Sequence, residues 1–164
     1  MIQAKQMSVG FYMYEALKQA EMARRAGEIP VGAIVVHQNR IITQAQNRCE
    51  RDHDATAHAE ILALRQAGAL LKDWRLCECT LYVTLEPCCM CAGAIGSARL
   101  KRLVFGAFDA EFGGCGSAVD LCNCVSTWRT AIVGGVMESE CASMIRSYFE
   151  RRRKEGRRID KKTN

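Results

Sequence analysis

The sequence predicts an α/β fold, a three-layer α/β/α sandwich around a single mixed five-stranded sheet, and three observations lead there. Short β-branched runs alternate with longer amphipathic stretches along the chain. Val31 to Val36 is continuously apolar, as a strand covered on both faces must be. Thr80 to Leu85 and Arg102 to Ala107 repeat that strand signal, with a helical stretch between them.

Phe11 to Arg25 reads as a helix, with Met13, Leu17, Ala20 and then Met22 on its apolar side and Gly27 as its stop signal. The first strand, Val31 to Val36, is followed by a turn at His37-Gln38-Asn39-Arg40 and a returning strand from Ile41 to Ala45. Asp54 to Thr56 starts a second helix, which carries Ile61, Leu62 and Leu64 inward and stops near Gly68. Its first turns hold His58 and Glu60, where backbone N–H groups are unsatisfied. Thr80 to Leu85 is the third strand. On the helix after it, Cys88 and Cys91 are three apart and face the same side, near an N-terminus that favours thiolate over thiol. Arg102 to Ala107 and Thr130 to Val136 are the fourth and fifth strands. Met137 to Lys154 is a long final helix with Cys141, Met144, Ile145, Tyr148 and Phe149 inward.

At 164 residues the chain suits one domain with a substantial core, and 49% hydrophobic against 25% charged residues excludes a disordered protein. No apolar run reaches the roughly 18 residues of a membrane span, and the N-terminal residues lack a signal-peptide core, so the expected location is the cytoplasm. Ten cysteines in that setting are expected as thiols. Cys77-x-Cys79 and Cys122-x-Cys124 are too tightly spaced for a zinc arm, and Cys89 reads as a packing residue. From Arg151 to Asn164, eight basic residues against Glu155 and Asp160 give +6, which leaves −1 on the remainder. Residues 1–154 therefore read as the folded domain and 155–164 as a basic tail. Such a tail fits a polyanionic partner, and equally a solvated, frayed end.

The chemistry concentrates in His58-Ala59-Glu60 and Pro87-Cys88-Cys89-Met90-Cys91. A C-x-x-C alone fits a redox pair, half a structural zinc site or two buried thiols. A redox pair has no use for the upstream histidine and glutamate, and a structural zinc takes four protein ligands. A catalytic zinc needs three ligands, an open position and a proton carrier nearby, which His58, Cys88, Cys91 and Glu60 supply. The pattern H-x-E…P-C-x-x-C is the signature of zinc-dependent nucleobase deaminases.

Thr56-Ala-His58-Ala-Glu60-Ile61, Leu81-Tyr-Val-Thr-Leu-Glu-Pro-Cys-Cys-Met-Cys-Ala-Gly-Ala94 and Val104-Phe-Gly-Ala107 resemble the tRNA-specific adenosine deaminases of the cytidine-deaminase-like superfamily. Pro30-Val-Gly-Ala33 and Asn47-Arg48 favour the tRNA subfamily within it. The resemblance implies zinc-dependent hydrolytic deamination of adenosine to inosine at the tRNA wobble position, by a homodimer with one zinc per chain. It further implies that Asn47 bonds the target base, that Leu85 and Pro87 line the nucleotide pocket, and that Asp109 lies in a loop touching flanking nucleotides. Phe149 and Arg152 on the final helix would then bind the anticodon loop. Without the resemblance, Asn47 reads as a turn residue and Asp109 as a loop or cap residue. Ala55, Gly96-Ser97-Ala98, Asn123 to Arg129 and Glu150 depart from the family pattern around the substrate rim. Two rivals share the zinc core: a free-base deaminase such as a guanine deaminase, and an idle zinc-binding subunit. The basic arm argues against the first and the presence of Glu60 against the second.

Overall fold

A computed structural model describes residues 8–122, 124 and 127–160, with the side chains of the last helix as far as Glu155. The elements run α1 (Val9–Arg25), β1 (Gly32–His37), β2 (Arg40–Gln46), α2 (Cys49–Asp52), α3 (Ala59–Leu71), β3 (Cys79–Leu85), α4 (Cys89–Ser97), β4 (Arg102–Ala107), β5 (Ala131–Val133) and α5 (Glu138–Asp160). The strands form one sheet in the order β2-β1-β3-β4-β5. β1 is antiparallel to both β2 and β3, whereas β3, β4 and β5 run parallel, so the sheet is mixed as expected.

Strand alternation explains the unbroken apolar run of β1. Ala33 and Val35 face one core with Leu81, Val83, Leu103 and Phe105, covered by α3 and α4 through Ala63, Leu64, Ala92 and Ile95. Ile34 and Val36 face the other core with Tyr82 and Val104, covered by α1 and α5 through Met13, Leu17 and Cys141. Each fully buried Leu, Ile or Val contributes about 1.5–3 kcal/mol. Gly32 lets α1 lie directly on the sheet, because a Cβ there would stand 2.2 Å from the Ala16 carbonyl oxygen. Ser8 caps α1, its hydroxyl accepting the Phe11 N–H at 3.2 Å. The β1–β2 turn places Gln38 and Asn39 at φ 48° and 60°, the left-handed pair that matches strand twist.

Several boundaries differ from expectation. Asp54 does not start α3: its carboxylate accepts the Thr56 N–H and hydroxyl, both at 2.7 Å, and closes a local turn. The helix begins at Ala59 after a separate one-turn α2. It also runs through Gly68 to Leu71, where Lys72 at φ 54° ends it. β5 stops at Val133 because Gly134 fits against the Phe105 ring, where a Cβ would stand at 2.5 Å, and Gly135 turns the chain at φ 81°. α5 continues past Lys154 to Asp160. Met22 (52% exposed) and Phe149 (41%) point outward instead of into the core, and Cys89 is likewise exposed rather than packed. Of the residues 123–129, positions 123, 125 and 126 lie outside the described residues, as do 161–164 of the tail. No described helix is long and apolar enough to cross a membrane.

Candidate metal centre

Two helix N-termini meet at the end of β3. His58 is the N-cap of α3 and Cys88 the N-cap of α4, both in extended backbone, and Cys91 lies buried in the first turn of α4. His58 Nδ1 stands 3.7 Å from Cys88 Sγ and 3.5 Å from Cys91 Sγ. The three donor atoms lie within 4.8 Å of one another. Tetrahedral bonds of about 2.3 Å to sulfur and 2.0–2.1 Å to nitrogen separate such atoms by about 3.5 Å. The donor set therefore fits a zinc ion.

The charges suit a cation. Hydrogen bonding from Cys91, and then from His58, lowers the Cys88 thiol to about 3. The adjacent Cys88, together with burial, pushes the Cys91 thiol up, and the bond to Cys88 raises His58. A positive ion among the three would relieve that competition and hold both sulfurs as thiolates. Glu60, on the first turn of α3, is buried, and burial pushes its carboxyl up. Among the described residues, Glu60 Oε2 and Arg48 Nε are the buried polar side-chain atoms without a hydrogen-bond partner. An orphaned carboxylate oxygen next to a three-ligand set is what a site for water and metal requires.

Of the remaining expected site residues, Asn47 and Pro87 lie next to this centre along the chain or through backbone bonds, whereas Asp109, Phe149 and Arg152 stand apart from it. Arg48 N–H donates to the Ala57 carbonyl at 3.0 Å, which ties Asn47-Arg48 to the residue before His58. The Asn47 side chain is buried, and its Nδ2 donates to Glu28 Oε2 at 3.1 Å. Leu85, half-buried, ends β3, and buried Pro87 accepts the Gly114 N–H on its carbonyl at 2.7 Å. Asp109 caps its own loop, its Oδ1 accepting the Glu111 and Phe112 N–H groups at 3.0 Å each. Phe149 and Arg152 stand farther out on exposed α5. One turn before Arg152, the Tyr148 hydroxyl donates to the Gly27 carbonyl at 3.0 Å, which brings this stretch beside Glu28.

Sequence reasoning missed two buried carboxylates, Glu28 and Glu86. Glu28 accepts the Glu50 and Arg51 N–H groups at 3.3 and 2.8 Å besides Asn47, and so holds α2. Glu86 accepts the N–H groups of Asp109, Cys115 and Ser117 at 3.1, 3.2 and 3.0 Å, and also the Ser117 hydroxyl. Burial pushes the Glu86 carboxyl up, but these bonds outweigh it and hold it below its ordinary value. The available signal was an acidic residue one or two positions before Pro87 or Pro30, at one end of an apolar strand.

The sequence pattern of MafB19-like deaminases matches residues 7–140. A tRNA-specific adenosine deaminase of Bacillus subtilis (strain 168) is 44% identical over 147 residues, which cover 87% of this chain and 89% of its own. The chain belongs to the tRNA-specific adenosine deaminase family. The deaminase is also 44% identical over 151 residues to the tRNA-specific adenosine deaminase of Haemophilus influenzae (strain ATCC 51907 / DSM 11121 / KW20 / Rd), covering 91% of this chain and 87% of that one. A solved structure from a study of A-to-I editing by tRNA deaminases at the wobble position of transfer RNA has a TM-score of 0.75 and 39% identity to the deaminase. It covers 82% of this chain and 98% of that one. The five-stranded mixed sheet and its flanking helices are the fold of these relatives.

Proposed function

We propose that the protein converts adenosine to inosine at the wobble position of tRNA by zinc-dependent hydrolysis. The observation that carries this is the convergence of His58, Cys88 and Cys91 on one point, with the orphaned carboxylate of Glu60 beside them, in a chain of this family. A bound zinc would supply a Lewis acid that lowers the pKa of water towards neutrality.

In this reading His58, Cys88 and Cys91 hold one ion per chain. Glu60 takes one proton from the attacking water and gives it to the adenine ring nitrogen. Once oxygen is bonded to C6, Glu60 takes the remaining proton of that hydroxyl and passes it to the amine. The C6–N bond then breaks, ammonia leaves and the oxygen stays as the carbonyl of inosine. Its raised affinity for a proton, from burial, suits a group that must carry one and release it. Glu28 fixes the Asn47 amide, so that Asn47 can hold the base in one orientation, while Leu85 and Pro87 wall the pocket. Adenine C6 becomes reachable only when the nucleotide is unstacked, which a loop permits at low cost.

Residues 1–154 form the deaminase domain in this proposal, with 155–164 as a basic tail. Arg152 and Phe149, together with Asp109, would meet the anticodon loop, in the cytoplasm where tRNA is modified. A homodimer fits the outer face of α3 and α4, where a groove of about 830 Å³ is lined by Ile61, Leu64, Met90, Ala94 and Ala98.

Mass spectrometry of nucleosides after incubation with a tRNA anticodon stem-loop, run beside free guanine, tests the function. Inosine in the stem-loop is the expected result. Efficient guanine turnover with no inosine would replace this reading by the free-base deaminase.

A further inference from the structure

The loop after β4 carries Phe112, at 62% the most exposed large apolar side chain among the described residues. The backbone beneath this ring is firmly held. Asp109 Oδ1 accepts the Phe112 N–H at 3.0 Å, and the Gly113 N–H donates to the Asp109 carbonyl at 2.9 Å. Gly113 then forms an antiparallel bridge with Cys88. A Cβ on Gly113 would stand 2.5 Å from the Glu86 carboxyl carbon, so the loop has no room to slide inward. A phenyl ring is thus presented to water one residue from the partner of a metal ligand.

The neighbouring charges limit what can cover it. Asp109 and Glu111 precede the ring, and the sequence from Phe108 to Trp128 holds no lysine or arginine. A phosphate would be repelled here. A nucleobase is neutral and presents a flat π-face, which aromatic side chains bind without reading its identity. Phe108, also exposed, is a different case: it packs edge-on against Phe105 at 5.1 Å between centroids and borders Gly134, and so belongs partly to the core.

We infer that Phe112 is a stacking platform for the base adjacent to the reacting adenosine, positioning the RNA over the metal centre. The assignment rests on the RNA-deaminase reading above. A platform on the Cys88-bridged loop would hold the neighbouring base while the target base enters the pocket. Acidic flanks would keep the backbone away from the ring.

The test measures binding of an anticodon stem-loop carrying 2-aminopurine next to the target adenosine, with Phe112→Ala, Phe112→Leu and Phe112→Trp beside the wild type. Stacking predicts quenched fluorescence in the wild-type complex. It also predicts about 5- to 150-fold weaker binding for both the Ala and Leu variants, with affinity and quenching retained by Trp. The slope of log K against log salt should stay constant across the series, because a stacked ring releases no counterions. Leu binding as well as Phe, Ala within twofold of wild type, or an altered salt slope would each overturn the platform. If wild type makes inosine and Phe112→Ala binds equally well, the platform alone fails. If wild type stacks the probe but makes no inosine, the deaminase reading fails and takes the positioning role with it, leaving Phe112 as a base-stacking contact alone. A wild type that neither binds nor reacts overturns both.

Discussion

The carboxylate of Glu28 and the amide of Asn47 meet at 3.1 Å in the interior, with 1% and 6% of their surfaces exposed. The same carboxylate accepts the N–H groups of Glu50 and Arg51, so one acid orients the base-binding candidate and holds α2. Glu28→Ala strands the buried Asn47 amide and is expected to lose about 1–3 kcal/mol of stability, the cost of one desolvated group, since Glu50 and Arg51 are exposed and their N–H groups can turn to water. Glu28→Gln should lose less, and KM for a stem-loop should rise more than kcat falls. Urea unfolding with initial rates checks this; unchanged stability and unchanged KM in the Ala variant would refute it.

Glu60→Gln is expected to retain metal and RNA binding and to lose turnover by roughly 10²–10⁴-fold or more, since one group serves several proton transfers. Single-turnover rates at saturating RNA are the measurement. A rate equal to wild type removes Glu60 from the mechanism.

In the proposed zinc centre, Cys88→Ala takes away one of two thiolate ligands, at an N-cap position whose side chain makes no capping bond to α4. Elemental analysis should find near-complete loss of zinc, and a chelator should bring the wild type to the same inactive state. Restored activity on adding zinc back is expected for the wild type and not for the variant. Full zinc retention by Cys88→Ala would mean that the ligand set is wrong.

The pH dependence of Glu86 has a definite sign. Its carboxyl lies below the ordinary 4.5 in the folded protein, so the charged form favours folding. That contribution is complete above about 4.5 and disappears as pH falls through the lower, folded value. Glu86→Gln should therefore be less stable than wild type by about 1–3 kcal/mol at neutral pH. Thermal melts should show the gap closing below about pH 4.5. A gap that widens on acidification would contradict the assignment.

Arg152 and Arg153 are exposed on α5 and form no ion pair among the described residues. Charge reversal at both should weaken tRNA binding and lower the slope of log K against log salt by about 0.7–0.9 for each phosphate that is no longer neutralised. Zinc content and the rate on saturating RNA should be unaffected. An unchanged slope would leave this stretch as a solvated helix end.

The parts legible in the sequence are those governed by local pattern. β4 occupies Arg102–Ala107 as read, because its apolar run begins at Lys101-Arg102 and closes just before Asp109. The convergence of His58, Cys88 and Cys91 was legible because the H-x-E and P-C-x-x-C spacings mark the donors and each falls at a helix start. α2 was not, since one helical turn has too little periodicity and is held by Glu28 from 22 and 23 residues away. Glu86 was opaque for the same reason: its acceptor role depends on N–H groups in the distant Asp109–Ser117 loop. The end of β5 depended on room around the Phe105 ring, which only packing reveals.

Because β1 runs against β2 and β3, and β3 runs with β4 and β5, the sheet has one reactive edge. Glu28 precedes β1, Asn47 follows β2, Cys88 follows β3, Phe108 follows β4, and all emerge on that side. The opposite edge carries the Gln38–Asn39 turn and the surface pair Lys101–Glu78. Such polarity uncouples the two ends of the molecule. Loops on the reactive edge can diverge in length and composition while the shared strands keep their register. The far turn is free to accept an insertion or a fusion junction with no cost to the chemistry.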